Sequence, residues 1–179
     1  MTDSRRIIAN PQPAAQPLIW RGLGPQVSNK TRLLILGSLP GRASLLAGQY
    51  YGHPQNQFWR LLNGALGLPL TELSYSERLH LLESKGIGLW DVITAAEREG
   101  SLDSAIRNAE PSDLHGLLDT LPLLSVIGFN GGTAARQGRK VLGERVAQYR
   151  VVDLPSSSPA YTLAFEKKLL AWSELRSES

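Results

Sequence analysis

Four short apolar runs, separated by segments of helical periodicity, constrain the fold of this chain more than any other feature. The runs lie at residues 33–36, 87–93, 123–128 and 150–154. Short apolar runs without alternation are typical of strands that are buried on both faces, as in parallel sheets. Because strands alternate with helices, we expect an α/β domain with three layers (α/β/α) around a small, about four-stranded parallel sheet.

The helices are predicted from apolar spacing and from start and stop signals. One helical face begins at Phe58 and recurs through Leu66. Ser74 and Glu77 match a capping box, which predicts a helix over residues 75–85. Further helices are predicted near residues 102–108, 114–121, 132–142 and 161–172.

The composition is that of a single globular domain, and it excludes several kinds of chemistry. The chain has 179 residues, of which 42% are hydrophobic and 20% charged, enough for one buried core. It has no cysteine, which excludes disulfides, thiol nucleophiles and iron–sulfur clusters. The three histidines, His53, His80 and His115, do not have the spacing of metal ligands, so we expect no metal and no other cofactor.

The first residues differ from the rest in their proline-rich, polar composition. We expect a loosely ordered arm over residues 1–20, followed by one domain over residues 21–179. The segment 10–13, Asn-Pro-Gln-Pro, interrupts any signal-peptide apolar region, and no apolar run is long enough to span a membrane. These features predict an intracellular, cytoplasmic protein, associated with the nucleoid if prokaryotic. A net charge of +3 permits a polyanionic partner.

The loops that follow the four predicted strands hold the residues from which a site could be built. They comprise residues 37–41, Asp91, residues 129–132 and residues 155–161. Right-handed crossovers place the carboxyl ends of parallel strands along one sheet edge, where open α/β sheets bind ligands. We therefore expect these loops to converge. The loop 37–41 matches neither a Walker A loop nor the dinucleotide-binding glycine pattern.

A loop rich in aromatic and polar residues, over positions 48–59, is expected to join them. It contains the adjacent Tyr50 and Tyr51, then His53 and Asn56. Tyrosine rings offer stacking faces, and a side-chain amide both donates and accepts hydrogen bonds, which suits a flat polar ligand. The same residues also have a structural explanation, with Asn56 as a helix N-cap and the aromatics in the core.

Three segments, taken together and in this order, resemble the uracil-DNA glycosylase superfamily. They are GSLPG at 37–41, YYGHPQNQFW at 50–59 and LPSSSP at 154–159, and the similarity extends over residues 32–175. The branch that they resemble most is the hypoxanthine-DNA (deoxyinosine) glycosylases. The resemblance implies a parallel sheet between helices and a DNA glycosylase of base-excision repair.

The resemblance also implies roles for particular residues. Asn56 corresponds to the catalytic amide of the family's Pro-x-Asn-x-Phe-Trp segment, which would orient the attacking water. Base binding is implied for Tyr51, Gly37, Ser38, Leu39, Pro40, Asp91, His53 and Asn130. DNA binding is implied for Ser156, Ser157, Ser158, Pro159, Ala160 and Tyr161.

The chain departs from the best-known members of the superfamily. Leu39 stands where mismatch-specific relatives have a catalytic Asn, and the serines at 156–158 have no accompanying His. These departures favour hypoxanthine over general uracil excision, with a uracil- or mismatch-specific glycosylase as an alternative. Structural roles also stay open, namely turns at Asp91, Asn130 and the serines, and a loop-holding hydrogen bond from His53.

Other classes of function use the same loops. A non-catalytic nucleic-acid-binding module is the main alternative to an enzyme. A serine hydrolase is unsupported, because the G-x-S-x-G pattern is absent and no His follows the serines. No lysine lies in the three segments, which favours a monofunctional glycosylase without lyase chemistry. The expected partner is DNA containing deaminated bases, with no membrane, and we expect the protein to act as a monomer.

Overall fold

Strands and helices alternate along the chain, as the apolar pattern predicts. The computed structural model describes residues 18–176. Its strands are β1 (Ile19–Arg21), β2 (Leu33–Gly37), β3 (Ile87–Asp91), β4 (Ile93–Arg98), β5 (Ile106–Pro111), β6 (Val126–Asn130) and β7 (Arg150–Leu154). Its α-helices are α1 (Arg42–Ala47), α2 (Phe58–Leu66), α3 (Tyr75–Ser84), α4 (Leu114–Asp119), α5 (Gly132–Leu142) and α6 (Phe165–Trp172).

A four-stranded parallel sheet in the order β3-β2-β6-β7 forms the centre of the molecule. The sheet register pairs Gly37 with Asp91 and Asn130 with Leu154, so neighbouring strands end at nearly the same level. The loops that follow them consequently emerge along one edge. This arrangement confirms the predicted parallel sheet.

Helices cover both faces of this sheet, because alternate residues of β2 point to opposite sides. Leu33 and Ile35 belong to one buried cluster, which α2, α3 and α6 complete. Leu34 and Leu36 belong to the other, which includes buried residues of α4 and α5. The expected three-layer α/β/α architecture is therefore confirmed.

A second, antiparallel sheet in the order β1-β4-β5 was not predicted. The run at 87–93 is not one strand, because β3 ends at Asp91 and β4 begins at Ile93 in the other sheet. The helix expected near residues 102–108 is also wrong. That segment contains one 3₁₀ turn, Asp103–Ala105, followed by β5. Tertiary pairing with β4 overrides the weak local helix preference of this polar segment.

Smaller differences concern where elements begin. β1 pairs with β4, so the domain boundary expected at residue 21 falls inside a strand. Residues 1–17 of the expected arm lie outside the described residues. The third parallel strand begins at Val126 rather than at residue 123, and the last helix begins at Phe165, which leaves Tyr161 in the preceding loop. None of the helices within residues 18–176 has the length and apolar character needed to cross a membrane.

Helix α5 packs closely on β6 through a glycine, which gives a test of the fold. A Cβ atom at Gly138 would lie 2.2 Å from Cε1 of the buried Phe129 ring. We expect Gly138→Ala to lower the free energy of unfolding by about 1–3 kcal/mol through overpacking. Gly132→Ala in the same helix is the matched control, because a Cβ there meets nothing within 4 Å. Chemical denaturation measures both; equal stability of the two variants would contradict the packing.

Candidate functional site

A cavity of about 520 Å³ opens at the carboxyl ends of the parallel strands. Its walls come from the ends of β3 and β6, the loops after β2 and β7, α1 with the segment between α1 and α2, and the connection between β4 and β5. A volume in this range is typical of ligand sites. The following residues, all expected at the site from the sequence, line it: Gly37, Ser38, Leu39, Pro40, Tyr51, His53, Asn56, Asp91, Asn130, Ser156, Ser157, Ser158, Pro159, Ala160 and Tyr161.

The two adjacent tyrosines have different environments. Tyr50 is buried, its hydroxyl donates to backbone carbonyls of the segment before β2, and its own N–H donates to the Tyr75 hydroxyl. Tyr51 takes a left-handed backbone conformation, with φ at 54°, and its ring stacks on Phe58 at a centroid distance of 3.7 Å. One face of the Tyr51 ring is thus covered by Phe58. The other face is the one that a flat ligand in the cavity could contact.

Asp91 is buried, with 4% of its surface exposed, and its Oδ2 atom has no hydrogen-bond partner among the described residues. Burial raises the pKa of this carboxyl to about 8, and the nearby Asp103 carboxylate acts in the same direction. A turn-capping role would require a hydrogen bond to a backbone N–H, and Oδ2 makes none. At neutral pH the group is therefore mainly a neutral carboxylic acid, able to donate and accept.

The lack of a side chain at Gly37 makes room for the Asp91 carboxyl and the Tyr51 hydroxyl. A Cβ atom at this position would lie 2.6 Å from Oδ1 of Asp91 and 3.0 Å from the Tyr51 hydroxyl. The carboxyl and the hydroxyl therefore both lie over the α-carbon of Gly37, at the end of β2. The Tyr51 hydroxyl is buried and also has no partner within the described part of the chain. Two unpaired polar groups thus lie together in the cavity wall.

Asn56 lines the cavity and also has a structural contact. Its Oδ1 accepts a hydrogen bond from the Phe58 N–H at 3.0 Å. The N-cap of α2 is Gln57 rather than Asn56, which the structural explanation of this segment placed there, but the Asn56 side chain still satisfies an N–H of the first turn. Its orientation is therefore fixed before any ligand binds. The His53 Nδ1 accepts from the Gln55 N–H at 3.1 Å, which gives His53 the loop-holding hydrogen bond.

Asn130 and Ser157 form a reciprocal pair that joins two of the loops. The Asn130 Nδ2 donates to the Ser157 hydroxyl, and the Ser157 N–H donates to the Asn130 Oδ1, both at 2.9 Å. Ser157 is buried, and its carbonyl accepts from the Gln57 N–H at 3.0 Å. The loops after β6 and β7 and the start of α2 are thereby connected. Ser157 therefore has a structural role in holding these loops together.

The other two serines shape the same loop. The Ser156 hydroxyl accepts from the Ser158 N–H, and the Ser158 hydroxyl accepts from the Ala160 N–H, each at 3.2 Å. Both bonds are those of a rigid turn. Because each hydroxyl acts as acceptor there, its hydrogen is available to donate elsewhere. Both serines line the cavity, so a structural and a ligand-binding role are compatible.

Arg98 is a buried residue at the site for which the sequence offers no signal. It lies at the end of β4, donates to the Leu39 carbonyl at 3.3 Å and also donates to the Pro40 carbonyl. Its own carbonyl accepts from the Trp20 indole N–H at 2.7 Å. Nothing in the local sequence distinguishes Arg98 from an exposed arginine. Its position depends on the unpredicted pairing of β4 with β1.

Lys168 was also missed, because it lies in α6, outside the three segments. It is buried, and its Nζ donates to the Ser158 carbonyl at 3.4 Å. The same ammonium group lies 5.4 Å from the centre of the Tyr161 ring. It thus places a positive charge behind the serine loop, and it is not among the residues that line the cavity.

Residues 18–176 contain no cluster of three or more His, Cys, Asp or Glu side chains that could hold a metal ion.

The fold and the site define an α/β domain with a ligand cavity at the carboxyl edge of a parallel sheet. A family model, described as the Uracil DNA glycosylase superfamily, matches residues 25–176. The chain therefore belongs to the uracil-DNA glycosylase superfamily, and its class is that of a DNA glycosylase.

Similar proteins support this assignment. A "Hypoxanthine DNA glycosylase" of Methanosarcina barkeri is 39% identical over 86% of this chain and 96% of its own length. A "Hypoxanthine DNA glycosylase" of Methanosarcina acetivorans is 43% identical over 80% of this chain and 89% of its own length. A solution NMR structure of a proposed uracil DNA glycosylase from Methanosarcina acetivorans superimposes with a TM-score of 0.78, at 40% identity, covering 88% of this chain and 96% of that one.

The pairing of Asn130 with Ser157 predicts a structural role for Asn130. We expect Asn130→Ala to lower the free energy of unfolding by about 1–3 kcal/mol, because it leaves the buried Ser157 N–H unpaired. Ser157→Ala should cost less, since it preserves the bond from that N–H to the Asn130 Oδ1. Urea denaturation of the two variants provides the comparison. A fully stable Asn130→Ala variant would show that the pair does not hold the loops.

Proposed function

We propose that this protein is a monofunctional DNA glycosylase that removes a deaminated base, with hypoxanthine as the primary lesion. The observation that most supports the proposal is that one cavity brings together a tyrosine ring, an oriented amide and a buried neutral carboxyl. The names of the similar proteins from the two Methanosarcina species point to the same lesion.

The target nucleotide must leave the base stack before the cavity can receive it. Flipping costs a few kcal/mol and is cheapest for a mispaired base, which gives a first selection for deaminated bases. In the cavity, the base would stack on the face of the Tyr51 ring opposite Phe58. The turn at Ser156 and Ser158 would hold the neighbouring phosphates through hydroxyl and backbone donors. The charge of Lys168 behind this turn favours an anion there.

Asp91 would read the edge of the base. A neutral carboxyl can accept the N1–H of hypoxanthine with one oxygen and donate its own proton to O6 with the other. An ionised carboxylate, which only accepts hydrogen bonds, would reject adenine, but the raised pKa makes this group a neutral acid. A neutral carboxyl also complements the edge of adenine. Selection against adenine therefore falls to the cost of flipping a well-paired base.

Asn56 would position the water that attacks C1′. As the N-glycosidic bond breaks, its electron pair leaves with the base, and the sugar develops oxocarbenium character. The oxygen of the water bonds to C1′, and its released proton goes to solvent or to the departing base. The products are a free base and an abasic sugar. An amide has no basic pair at neutral pH, so its contribution is positioning, and the Phe58 N–H fixes its rotamer.

A lyase step would require an amine in the cavity. None of the described residues that line the cavity is a lysine. The Lys168 amine is instead hydrogen-bonded to the backbone behind the serine turn. This arrangement supports hydrolysis without subsequent strand cleavage.

Removal of the Asn56 amide tests the catalytic assignment. We expect Asn56→Ala to slow release of hypoxanthine from a single-lesion oligonucleotide by about a hundredfold, because the water loses its positioning. Binding to the same oligonucleotide should be little changed. Single-turnover assays with a chelator present, followed by alkaline cleavage of abasic sites, measure the rate; parallel uracil and xanthine substrates establish the lesion preference.

The stability of Asn56→Asp serves as the control, because an aspartate keeps the acceptor for the Phe58 N–H. If Asn56→Asp is as stable as the wild type and Asn56→Ala is slightly less stable, the stability lost in Asn56→Ala comes from the hydrogen bond to the Phe58 N–H. The effect on stability can then be distinguished from the effect on catalysis. Near-normal hypoxanthine release by Asn56→Ala would remove this residue from its proposed role. Tight DNA binding without release of any base would favour the non-catalytic module.

The protonation state of Asp91 predicts a pH dependence. The neutral acid is the form proposed to hold the base, so its contribution is present below its pKa and is lost as pH rises through about 8. The side-chain amide introduced by Asp91→Asn does not titrate, so it would keep both a donor and an acceptor at every pH. We therefore expect the ratio of variant to wild-type kcat/KM to rise with pH through this range.

The ratio is the informative quantity, because ionisation of the substrate itself affects both proteins equally and cancels. Measurement of kcat/KM on hypoxanthine DNA from mildly acidic to mildly alkaline pH is sufficient. A ratio that stays constant over the whole range would show that Asp91 does not titrate in the reaction.

A further inference from the structure

The end of β2 and the loop that follows it contact three ionisable side chains in succession. The Asp91 Oδ1 lies 2.6 Å from where a Cβ of Gly37 would be, and the Ser38 hydroxyl donates to the Asp103 Oδ1 at 2.7 Å. Arg98 donates to the carbonyls of the next two residues. Consecutive residues thus bring two carboxyls and one guanidinium together. Both carboxyls line the cavity, and Asp103 belongs to the connection between β4 and β5, outside the three sequence segments.

The charges of this cluster can balance in only one way. Arg98 is buried, with 4% of its surface exposed, and it forms no ion pair within the described part of the chain. Its positive charge instead lowers the pKa of both carboxyls from a distance. One guanidinium offsets one carboxylate, and two ionised carboxyls in the same poorly hydrated site would repel each other. One carboxyl therefore keeps a proton.

The surroundings of the two carboxyls decide which one is ionised. Burial raises the pKa of Asp91 to about 8, and only Arg98 opposes this effect. Partial burial also raises the pKa of Asp103, but three groups oppose it, namely the Ser38 hydroxyl, Arg98 and, on α5, Arg136. Asp103 is also the more exposed of the two. It consequently loses its proton first, and its carboxylate then opposes ionisation of Asp91.

Two other titratable groups in the cavity wall leave this balance unchanged. Burial raises the pKa of the Tyr51 hydroxyl, so this group stays neutral at physiological pH. The His53 Nδ1 accepts a hydrogen bond from the Gln55 N–H, and a ring nitrogen that accepts carries no proton. The imidazole is therefore neutral as well. The charge of the site depends on the two carboxyls and the arginines.

We propose that Asp103 is a positioning residue which, as the ionised partner of Arg98, makes Asp91 the carboxyl that keeps a proton for the base. The inference rests on the proposed function, because Asp91 needs this proton to donate to O6 of hypoxanthine. Without the charge of Asp103, Arg98 would balance an ionised Asp91 instead. A carboxylate at that position only accepts hydrogen bonds and would repel O6. Asp103 thus controls base recognition without contacting the base.

Asp103→Asn tests the inference, because the amide oxygen still accepts from the Ser38 hydroxyl while the charge is removed. The neutral form of Asp91 contributes below its pKa, and loss of the neighbouring charge lowers that pKa. We expect a shift of about one pH unit, which makes kcat/KM for hypoxanthine nearly equal to wild type at about pH 6 and about fivefold lower at about pH 8. Glu110→Gln is the matched control, because this exposed carboxylate on β5 does not line the cavity.

A second measurement requires neither DNA nor base release. The carboxyl ¹³C resonance of Asp91 in the free protein reports its titration, and its absence from Asp91→Asn assigns it. We expect the midpoint in Asp103→Asn to lie about one pH unit below that of wild type. Ser38→Ala removes the hydrogen bond and keeps the Asp103 charge, so its Asp91 midpoint should stay close to that of wild type.

Equal Asp91 midpoints in Asp103→Asn and wild type would overturn the inference. Equal shifts in Asp103→Asn and Ser38→Ala would also overturn it, because the hydrogen bond rather than the charge would then be the cause. The same loss of activity at every pH would show that Asp103 acts only through the shape of the loop. A shifted midpoint in a protein that releases no base from any lesion would instead refute the glycosylase function and confirm the charge balance.

Discussion

The pairing of β2 with a parallel neighbour on each side is the constraint on which the rest of the structure depends. All five residues of β2 are buried, so the strand cannot shift without exposing one of the two cores. Its register with β3 and β6 sets the level at which those strands end. The cavity is a consequence, because the loops that follow the strands emerge at one edge of the sheet.

A second constraint attaches the small sheet to this edge. Arg98 is buried without a carboxylate within salt-bridge distance among the described residues, and it donates instead to the carbonyls of Leu39 and Pro40. A buried guanidinium needs compensation for its lost hydration, and the loop carbonyls provide it for the two terminal nitrogens, whereas the Nε atom has no partner among the described residues. Arg98 and the loop thus depend on each other. The hydrogen bonds from Arg98 hold the loop in its shape, and the loop carbonyls replace hydration that Arg98 loses on burial.

The parallel sheet could be predicted because its signal is local, in apolar runs that end in glycine or polar loops. The capping box at Ser74 and Glu77 likewise acts within one turn and is present as expected. The antiparallel sheet could not be predicted. Strand β5 is largely exposed and polar, so its identity comes from pairing with β4, at a distance that periodicity does not report.

The site likewise has features that could be predicted from the sequence and features that could not. The segments that line the cavity could be located, because topology brings strand ends together. Whether a given side chain is free or occupied could not be predicted, because it depends on contacts between loops far apart in sequence. Asn130 is an example, since its amide pairs with Ser157 rather than forming a turn of its own. Arg98 is another, because its position depends on the antiparallel sheet, which could not be predicted from the sequence.

The unpaired polar groups in the cavity wall connect the structure of the site with ligand binding. The Tyr51 hydroxyl and the Asp91 Oδ2 are buried without partners in the described part of the chain. Each unpaired group of this kind costs about 1–3 kcal/mol, so packing elsewhere in the domain must offset them. A base whose edge supplies a donor and an acceptor would remove part of that cost on binding. The free protein thus keeps unpaired polar groups in its binding site. A ligand that forms hydrogen bonds with them gains affinity, because binding removes the cost of leaving them unpaired.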